Sequence, residues 1–552
     1  MTLPNHYDPD DVEQYANQHW DEVDAYEHVN AENADGEPFY FVDGPPNTSG
    51  DMHCGTAWGK VLKDAFLRYY RMRGRDVVAR PGYDTHGLPV ERRLEAELGF
   101  EGKDDVREHG VETFTGACRE FVEENRQKMD EEFADLGVWM DWDDPYQTMD
   151  ADYMETVWTA FQELYDRRLL TREKRVVNTC PDCETSVAET RLSYGRRKST
   201  AAYVGFLLRE REGWLLAWTT TPWTVTGNQF VAVDPEATYV ALDVDGERLY
   251  VAEECLDGVL DALSADTAGQ KHVNSSRTRG DEIHGERGSR RTSVVKCSVR
   301  QYDSWAGVDR LDGADLVGWS YDNPLSAHLP PDSPVLGGEV AGADYVDLER
   351  TGLVHSAPGY GAEDFQRGRE LGLEGYAPLD ETGTLTDGAG EYAGLDVEEA
   401  VEAVLANLDD AGALFATETH DHEYPRCPRC DAEVRYRATE QWVVRVTEFT
   451  DDLLDAVGET EWHPPEAREN RFRKMVEEAP DWTLSRQRYW GTPVPVWVCE
   501  DCGRDVVVRD AAQLATSAGL DEPPEDLHRP RVDDLTVTCP PRAGHSRRSP
   551  DT

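Results

Sequence analysis

The chain has 552 residues, with 110 acidic against 56 basic side chains and a formal net charge of −54. That length supports several domains with real cores. No signal peptide and no apolar run of about 18 residues or more appears, so the protein is expected to be cytosolic and soluble. The basic residues are 9 Lys and 47 Arg. Acid-rich, lysine-poor usage over an ordinary apolar content reads as adaptation to high salt. There the Debye length falls to roughly 3 Å, so the acidity does not exclude a nucleic-acid partner, although phosphate contacts ordinarily call for cations.

Residues 1–37 form an N-terminal helical extension, with Val12, Tyr15, Ala16, His19 and Trp20 at helical spacing, leaning on the core. Phe39-Tyr40-Phe41-Val42 is a short strand closed by Asp43-Gly44-Pro45-Pro46. Asn47 to Gly55 is small and glycine-punctuated. Trp58, Leu62, Phe66 and Tyr69 then mark the apolar stripe of a helix. A buried strand thus leads through a tight loop into an amphipathic helix. This arrangement aims unpaired backbone N–H groups and the positive end of the helix dipole at one spot, where phosphate fits. His53 sits at that mouth, and Gly50 and Gly55 omit Cβ atoms that would obstruct a ligand. Residues 104–170 read as helices covering this unit, with Val122, Met129, Phe133, Leu136 and Met140 inward.

Three C-x-x-C pairs follow: Cys180/Cys183, Cys427/Cys430 and Cys499/Cys502. In a cytosolic chain such pairs favour zinc over disulfides, the other readings being redox or isolated thiols. A tetrahedral thiolate site takes four ligands. The first two pairs are therefore expected to share one structural zinc at the neck of an insertion. Cys499/Cys502 has Cys539 available as a third ligand, but Arg542 stands where a fourth cysteine is expected, leaving a second site incomplete. Cys54, Cys118, Cys255 and Cys297 have no spacing partner and read as incidental thiols.

From Ala201 to about residue 415, strand-like runs such as Ala202–Leu208 and Gly213–Trp218 alternate with turns. Thr219-Thr220-Thr221-Pro222-Trp223-Thr224 with Asn228, and Gly352–Phe365 with His355 and Asp364, put polar groups where core would be expected. Threonine also fills strands for its own sake. Residues 270–300 carry eight basic and three acidic side chains. They are either a basic nucleic-acid loop or an anomalous insert. Asp481–Pro493 contains Ser485-Arg486-Gln487-Arg488-Tyr489-Trp490-Gly491, whose arginines face phosphates or sit in buried ion pairs.

His53-Cys54-Gly55-Thr56, read with Gly82-Tyr83-Asp84-Thr85-His86-Gly87-Leu88-Pro89 and the Ser485–Gly491 run, resembles the class I aminoacyl-tRNA synthetases, in their isoleucyl version. The family's last histidine of the first motif is Thr56 here. The resemblance implies an α/β fold, with the first half of a Rossmann-type catalytic domain interrupted by a β-rich editing domain with zinc knuckles. It sets the domains at 1–37, 38–184 (catalytic, first part), 185–418 (editing), 419–498 (second knuckle and catalytic re-entry) and 499–552 (tail).

The family likeness further implies ATP-dependent activation of isoleucine and transfer to its tRNA, by a monomer using Mg with ATP. ATP would meet Pro46, Asn47, Gly50, His53, Gly55 and Thr56. Isoleucine would meet Pro46, Asp84 and His86. His53, Gly55 and Thr56 would serve the chemistry. Thr219, Thr220, Thr221, Asn228, His355 and Asp364 would form an editing pocket for misattached valine. A site built for isoleucine rejects valine by only about 1–3 kcal/mol, so a second sieve has a physical reason; this synthetase is itself the standing example of that limit. An editing-only ester hydrolase and an inactive zinc-binding remnant are the other readings. No K-x-S-K-S run occurs in the 552 residues, and residues 540–552 turn basic and lose the pattern, as a truncated or frame-shifted tail would. Adenylate formation by this chain is therefore expected to be weak, since loss of one transition-state donor costs about 100- to 1000-fold.

Overall fold

The computed structural model describes residues 8–244, 246–265, 309–539 and 545–548, the last four as backbone. The basic stretch 270–300 and Cys297 lie outside the described residues. The chain divides into two compact units, one of Met1–Arg172 with Trp442–Thr552 and one of Glu173–Gln441. No helix among the described residues is long and apolar enough to cross a membrane.

The first unit opens with helices α1 (Pro9–Glu22) and α2 (Ala25–Asn33). Asp8 caps α1, its side chain accepting from Asp10 N. α1 buries no residue fully and leans chiefly through Trp20, edge-on to Trp139 and under the Arg68 guanidinium. β1 (Pro38–Val42) and β2 (Asp76–Arg80) pair in parallel, Phe39 against Val77 and Phe41 against Ala79. Helix α3 (Cys54–Met72) connects them. The inner strand face, Phe39, Phe41, Val77 and Ala79, packs with Leu67, Val138 and Met140.

The facing of α3 corrects the sequence expectation. Its buried residues are Lys60, Asp64, Leu67 and Arg71. The predicted core stripe points to solvent, with Trp58 69% and Phe66 65% exposed and Leu62 and Tyr69 also open. The polar stripe can be buried because it is paired. Lys60 and Lys63 meet the buried Asp43 carboxylate, Asp64 takes Arg68 and the Trp139 N–H, and Arg71 reaches Asn30 and the Trp139 carbonyl. Burial pulls the Lys60 ammonium below its ordinary value, and Asp43 opposes this.

Downstream, α4 (Leu88–Leu98) and the helix Val111–Asp135 bring Val90, Leu94, Phe114, Cys118 and Val122 into one cluster with Tyr489 and Trp490. Leu136, expected inside, is 44% exposed just past the end of that helix. Cys54 is exposed, whereas Cys118 and Cys255 are buried. The backbone of His545–Arg548 pairs with Trp497–Cys499 and Val537–Thr538, so part of the basic tail extends a sheet.

The second unit is built on a ten-stranded sheet. Its longest strand, Ser193–Leu208, pairs on one side with Trp214–Thr219 and on the other with Ser320–Asp322, and also with Leu414–Arg426. Phe230–Val233 lies between Gly337–Gly342, parallel to it, and Leu353–Ser356, antiparallel. Both faces are covered, so these strands read as continuous apolar runs; Phe206, Leu215, Leu216, Val231 and Val240 are all buried.

Candidate functional site

In the first unit, His53 is the N-cap of α3. Its Nδ1 accepts from Gly55 N at 3.1 Å and Thr56 N at 3.2 Å. This corrects the picture of a bare ring of donors, since the imidazole itself satisfies two first-turn N–H groups. The capping bonds make Nδ1 the acceptor, so in the neutral ring Nε2 carries the proton. Thr56 Oγ1 lies 3.3 Å from Nε2. The glycine at 55 has a reason, because a Cβ there would stand 2.9 Å from His53 Cε1. Gly50 has none in the protein, a Cβ meeting nothing within 4 Å.

The loop before the helix is knit to a distant segment. Asp84 N donates to Pro46 O at 2.8 Å and Thr48 N to Asp84 O at 3.1 Å, making Asn47 and Asp84 parallel bridge partners. Asn47 Nδ2 donates to the Asp84 carboxylate at 3.3 Å. Pro46, Asn47 and Asp84 therefore meet at one place, and no cation pairs with Asp84 among the described residues.

The Ser485–Gly491 segment clamps the loop that leads from Asp84 into α4. Trp490 Nε1 donates to Thr85 O at 2.6 Å, and Gly87 N donates to Trp490 O at 3.0 Å. Glu91 accepts from the backbone N–H groups of Tyr489 and Trp490 and from Arg488. Arg488 also meets Glu95, all three side chains being buried. Burial alone would lower the Arg488 pKa, but the two carboxylates reverse this and raise it. Of the two readings for the arginines, Arg488 takes the buried ion pair. Arg486 donates to the carbonyls of Thr483 and Ser485. His86 is committed to the protein, its Nε2 2.7 Å from His528 Nε2 and its ring edge-on to Trp490.

The second unit brings the threonine run and the His355 strand together. Tyr321 Oη donates to Asn228 Oδ1 at 2.7 Å, and Asn228 Nδ2 lies 2.8 Å from His355 Nδ1. His355 Nε2 lies 3.0 Å from Thr224 Oγ1, which donates to Thr221 O at 2.7 Å. Read as donors and acceptors, these bonds assign one direction: Asn228 donates to Nδ1, and Nε2–H donates to Thr224. His355 is thus neutral, fully engaged and buried, and burial lowers its pKa to about 4. Thr219 Oγ1 accepts from Thr221 N at 3.1 Å, while the Thr220 hydroxyl has no partner among the described residues. Asp364 sits apart from the imidazole. It accepts from Ala357 N at 2.9 Å and Tyr345 Oη at 3.2 Å, and burial raises its pKa despite both bonds. Sequence reading missed Tyr321 and Tyr345, which no motif spacing marks.

The same unit holds Cys180, Cys183, Cys427 and Cys430, with all four sulfurs within 4.8 Å of one another. Pairs stand 3.4, 3.7 and 4.0 Å apart, bracketing the roughly 3.8 Å edge that Zn–S bonds of about 2.3 Å imply for a tetrahedron. Each knuckle is followed at once by a left-handed residue, Glu184 (φ 48°) and Asp431 (φ 62°), where the chain turns away after the second cysteine. Three of the four cysteines are buried and Cys430 is half-buried, none is in a disulfide, and the donors are of the right type, so the residues fit a structural zinc. In the first unit, Cys499, Cys502 and Cys539 also lie within 4.8 Å of one another. They supply three ligands, and position 542 lies outside the described residues.

Residues 15–543 match the family model of the class I tRNA synthetases (I, L, M and V). The chain belongs to that family. Among its curated relatives, the isoleucine–tRNA ligase of Natronomonas pharaonis is 46% identical over 549 residues, 97% of this chain and 48% of the relative. Those of Haloquadratum walsbyi and Archaeoglobus fulgidus are 44% and 40% identical, over 97% and 100% of this class I synthetase chain. The chain spans about half the length of the curated relatives it matches. The mixed α/β architecture is the one expected of a class I synthetase.

Proposed function

We propose that the chain carries the isoleucine-activating and valine-editing half of an isoleucine–tRNA ligase, acting on ATP, isoleucine and the isoleucine tRNA. The observation that carries this reading is the meeting of Pro46, Asn47 and the cation-free Asp84 carboxylate beside the His53-capped start of α3, in a chain 46% identical to such a ligase. In this reading Asp84 holds the isoleucine ammonium and Pro46 abuts the substrate. The isoleucine carboxylate attacks the α-phosphorus, the bond to the β-phosphate oxygen breaks and pyrophosphate leaves. His53, whose Nε2 carries the proton, donates to the oxygen on which charge grows. Gly50, Gly55 and Thr56 line the approach of ATP. Mg would come with the ATP phosphates and supply charge neutralisation there; no side chain of this chain is assigned to hold it. His86, tied to His528, shapes the loop that presents Asp84 rather than touching isoleucine.

The second unit is assigned the editing step. Asp364 takes the ammonium of the misattached amino acid. Thr219, Thr220 and Thr221 hold the ester and a water, whose oxygen joins the carbonyl carbon as the tRNA oxygen departs with a proton. His355 and Asn228, with their polar atoms already used, form the frame behind them. Zinc at Cys180, Cys183, Cys427 and Cys430 is structural; Cys499 and Cys502 with Cys539 form a second, three-ligand candidate. An editing-only hydrolase is the second reading, favoured by one fact: Glu173–Gln441 is a compact unit holding every editing candidate.

Isoleucine binding by calorimetry, ATP–pyrophosphate exchange and deacylation of valyl-tRNA test the assignments. Asp84→Ala should abolish isoleucine binding and leave deacylation intact, and Asp364→Ala should do the reverse. Unchanged isoleucine affinity in Asp84→Ala sinks the activation reading. Unchanged deacylation in Asp364→Ala sinks the editing one.

A further inference from the structure

Asp43 follows the last residue of β1, and three separate segments of the first unit meet on its buried carboxylate. Lys60 and Lys63 reach it from α3. From the short strand Gly82–Tyr83, Gly82 N donates to Oδ2 at 3.3 Å, the oxygen that Lys60 also holds. Tyr146 Oη donates to the Asp43 carbonyl at 2.6 Å. Tyr146–Gln147 runs parallel to Gly82–Tyr83, and its ring lies so close over Gly82 that a Cβ there would stand 2.0 Å from Tyr146 Cζ. The Lys60 ammonium is enclosed by the rings of Tyr83, Phe133 and Trp142, with centroids 6.0, 4.9 and 5.7 Å away.

A buried ion cluster is a poor source of stability, because desolvation offsets the attraction. What this one supplies is geometry. Each segment it joins carries one group of the candidate activation site. Pro46 lies three residues past Asp43, His53 caps α3 two turns before Lys60, and Asp84 lies two residues past Gly82. We infer that Asp43 is a positioning residue of that site: its carboxylate sets Asp84 against the Pro46 loop and the start of α3. The inference rests on the activation reading above. Asp43 meets neither isoleucine nor ATP in this assignment and acts through Gly82 and α3. A carboxylate suits the task because its two oxygens accept from two ammoniums and a backbone N–H at once. The same helix provides a contrast in Asp64, another buried carboxylate, which takes Arg68 and the Trp139 N–H. That carboxylate joins α3 to a segment bearing none of the three groups, so its loss reports on stability alone.

The test is isoleucine binding by calorimetry, beside thermal unfolding, on the 552-residue chain in molar KCl. Asp43→Leu with Lys60→Met replaces the buried pair by apolar side chains of similar size, an exchange that is often neutral for stability. The double variant should unfold close to the parent yet bind isoleucine at least about tenfold more weakly, because small misplacements of an aligned group are costly. Amide exchange at Gly82 should quicken. Asp64→Asn should lower the unfolding midpoint and leave the affinity unchanged. If the double variant does not fold, Tyr146→Phe takes its place: it removes only the bond to the Asp43 carbonyl and should weaken binding by about fivefold. Affinity equal to the parent's in a folded double variant, or in Tyr146→Phe where that stands in, overturns the inference. So does an equal loss in Asp64→Asn, since any lesion of α3 would then act alike. A parent chain that binds no isoleucine overturns the activation reading and this inference with it, whereas a parent that binds beside an unaffected variant overturns this inference alone.

Discussion

His86 and His528, 442 residues apart in sequence, meet through Nε2 atoms 2.7 Å apart. One of the two must donate and the other accept. The Asp526 carboxylate lies 2.6 Å from His528 Nδ1 and itself pairs with Arg119. It therefore fixes the proton of His528 on Nδ1, leaving Nε2 as acceptor for His86 Nε2–H. Burial lowers the pKa of both imidazoles. Each accordingly binds a proton more readily when unfolded. Stability from this pair is complete above the ordinary histidine pKa and is lost as pH falls below about 6.5. His528→Phe should keep the stack on Trp490 but strand the His86 donor, costing about 1–3 kcal/mol in denaturant unfolding at neutral pH. It should also flatten the acid limb of the stability profile. An unchanged acid limb would show that the pair is not buried neutral.

His355 is the acid-sensitive group of the second unit. With its pKa lowered by burial to about 4, stability again rises with pH, and the loss runs from about 6.5 down to 4. The difference corresponds to about 3 kcal/mol at full protonation. His355→Leu should remove that acid loss. It should also cost about 1–3 kcal/mol at pH 7.5, because Asn228 and Thr224 lose buried partners. Unfolding of the intact chain at pH 5 and 7.5, followed by amide exchange at Leu353–Ser356, separates the two effects.

The contrast between these histidines and the cysteines shows which parts of the site are legible in the sequence. C-x-x-C spacing is a local geometric requirement, so the sharing of four ligands between Cys180/Cys183 and Cys427/Cys430 follows from counting to four. The pairing of Pro46 and Asn47 with Asp84 joins two motifs already marked by glycines. His86–His528 and Tyr321–Asn228 have no local signature, because tertiary folding alone brings such residues together. The strand–loop–helix from Phe39 was legible as secondary structure but not in its facing. Periodicity says which side of a helix is apolar, not which side is covered. A second stripe was there to be read: Lys60, Asp64, Leu67 and Arg71 also follow helical spacing, and their charges are paired inside.

Zinc removal should act on both knuckles at once. Cys180→Ser and Cys427→Ser, in two knuckles far apart in sequence, should each abolish the same equivalent of bound zinc, because one ion serves both pairs. Cys502→Ser should leave that equivalent in place. Metal content by emission spectroscopy and the midpoint of thermal unfolding with and without chelator measure this. Partial zinc retention in Cys427→Ser would mean that the pairs do not share an ion.

Arg488 holds two carboxylates that have no other cation of comparable burial. Glu91 also receives the N–H groups of Tyr489 and Trp490. Arg488→Leu therefore leaves two buried anions facing each other and should cost about 3–5 kcal/mol. Arg488→Lys should rescue little of this, since one ammonium cannot reproduce a planar fork across Glu91 and Glu95. Chemical unfolding of the three proteins at fixed salt decides it. A lysine variant as stable as the parent would place these side chains in water.

Phe66 and Leu67 are adjacent on α3 and face opposite ways, 65% and 0% exposed. Their substitution tests the facing directly. Leu67 packs with Val77, Ala79, Val138 and Met140, so Leu67→Ala removes methyl groups from a closed core and should cost about 2–5 kcal/mol. Phe66→Glu, in the isolated chain, should change stability by no more than about 0.5 kcal/mol, because an exposed ring gives up no burial. If sequence periodicity alone governed α3, the order would reverse, with Phe66→Glu far the more damaging. Equal and large losses at both positions would mean that α3 is covered on both sides.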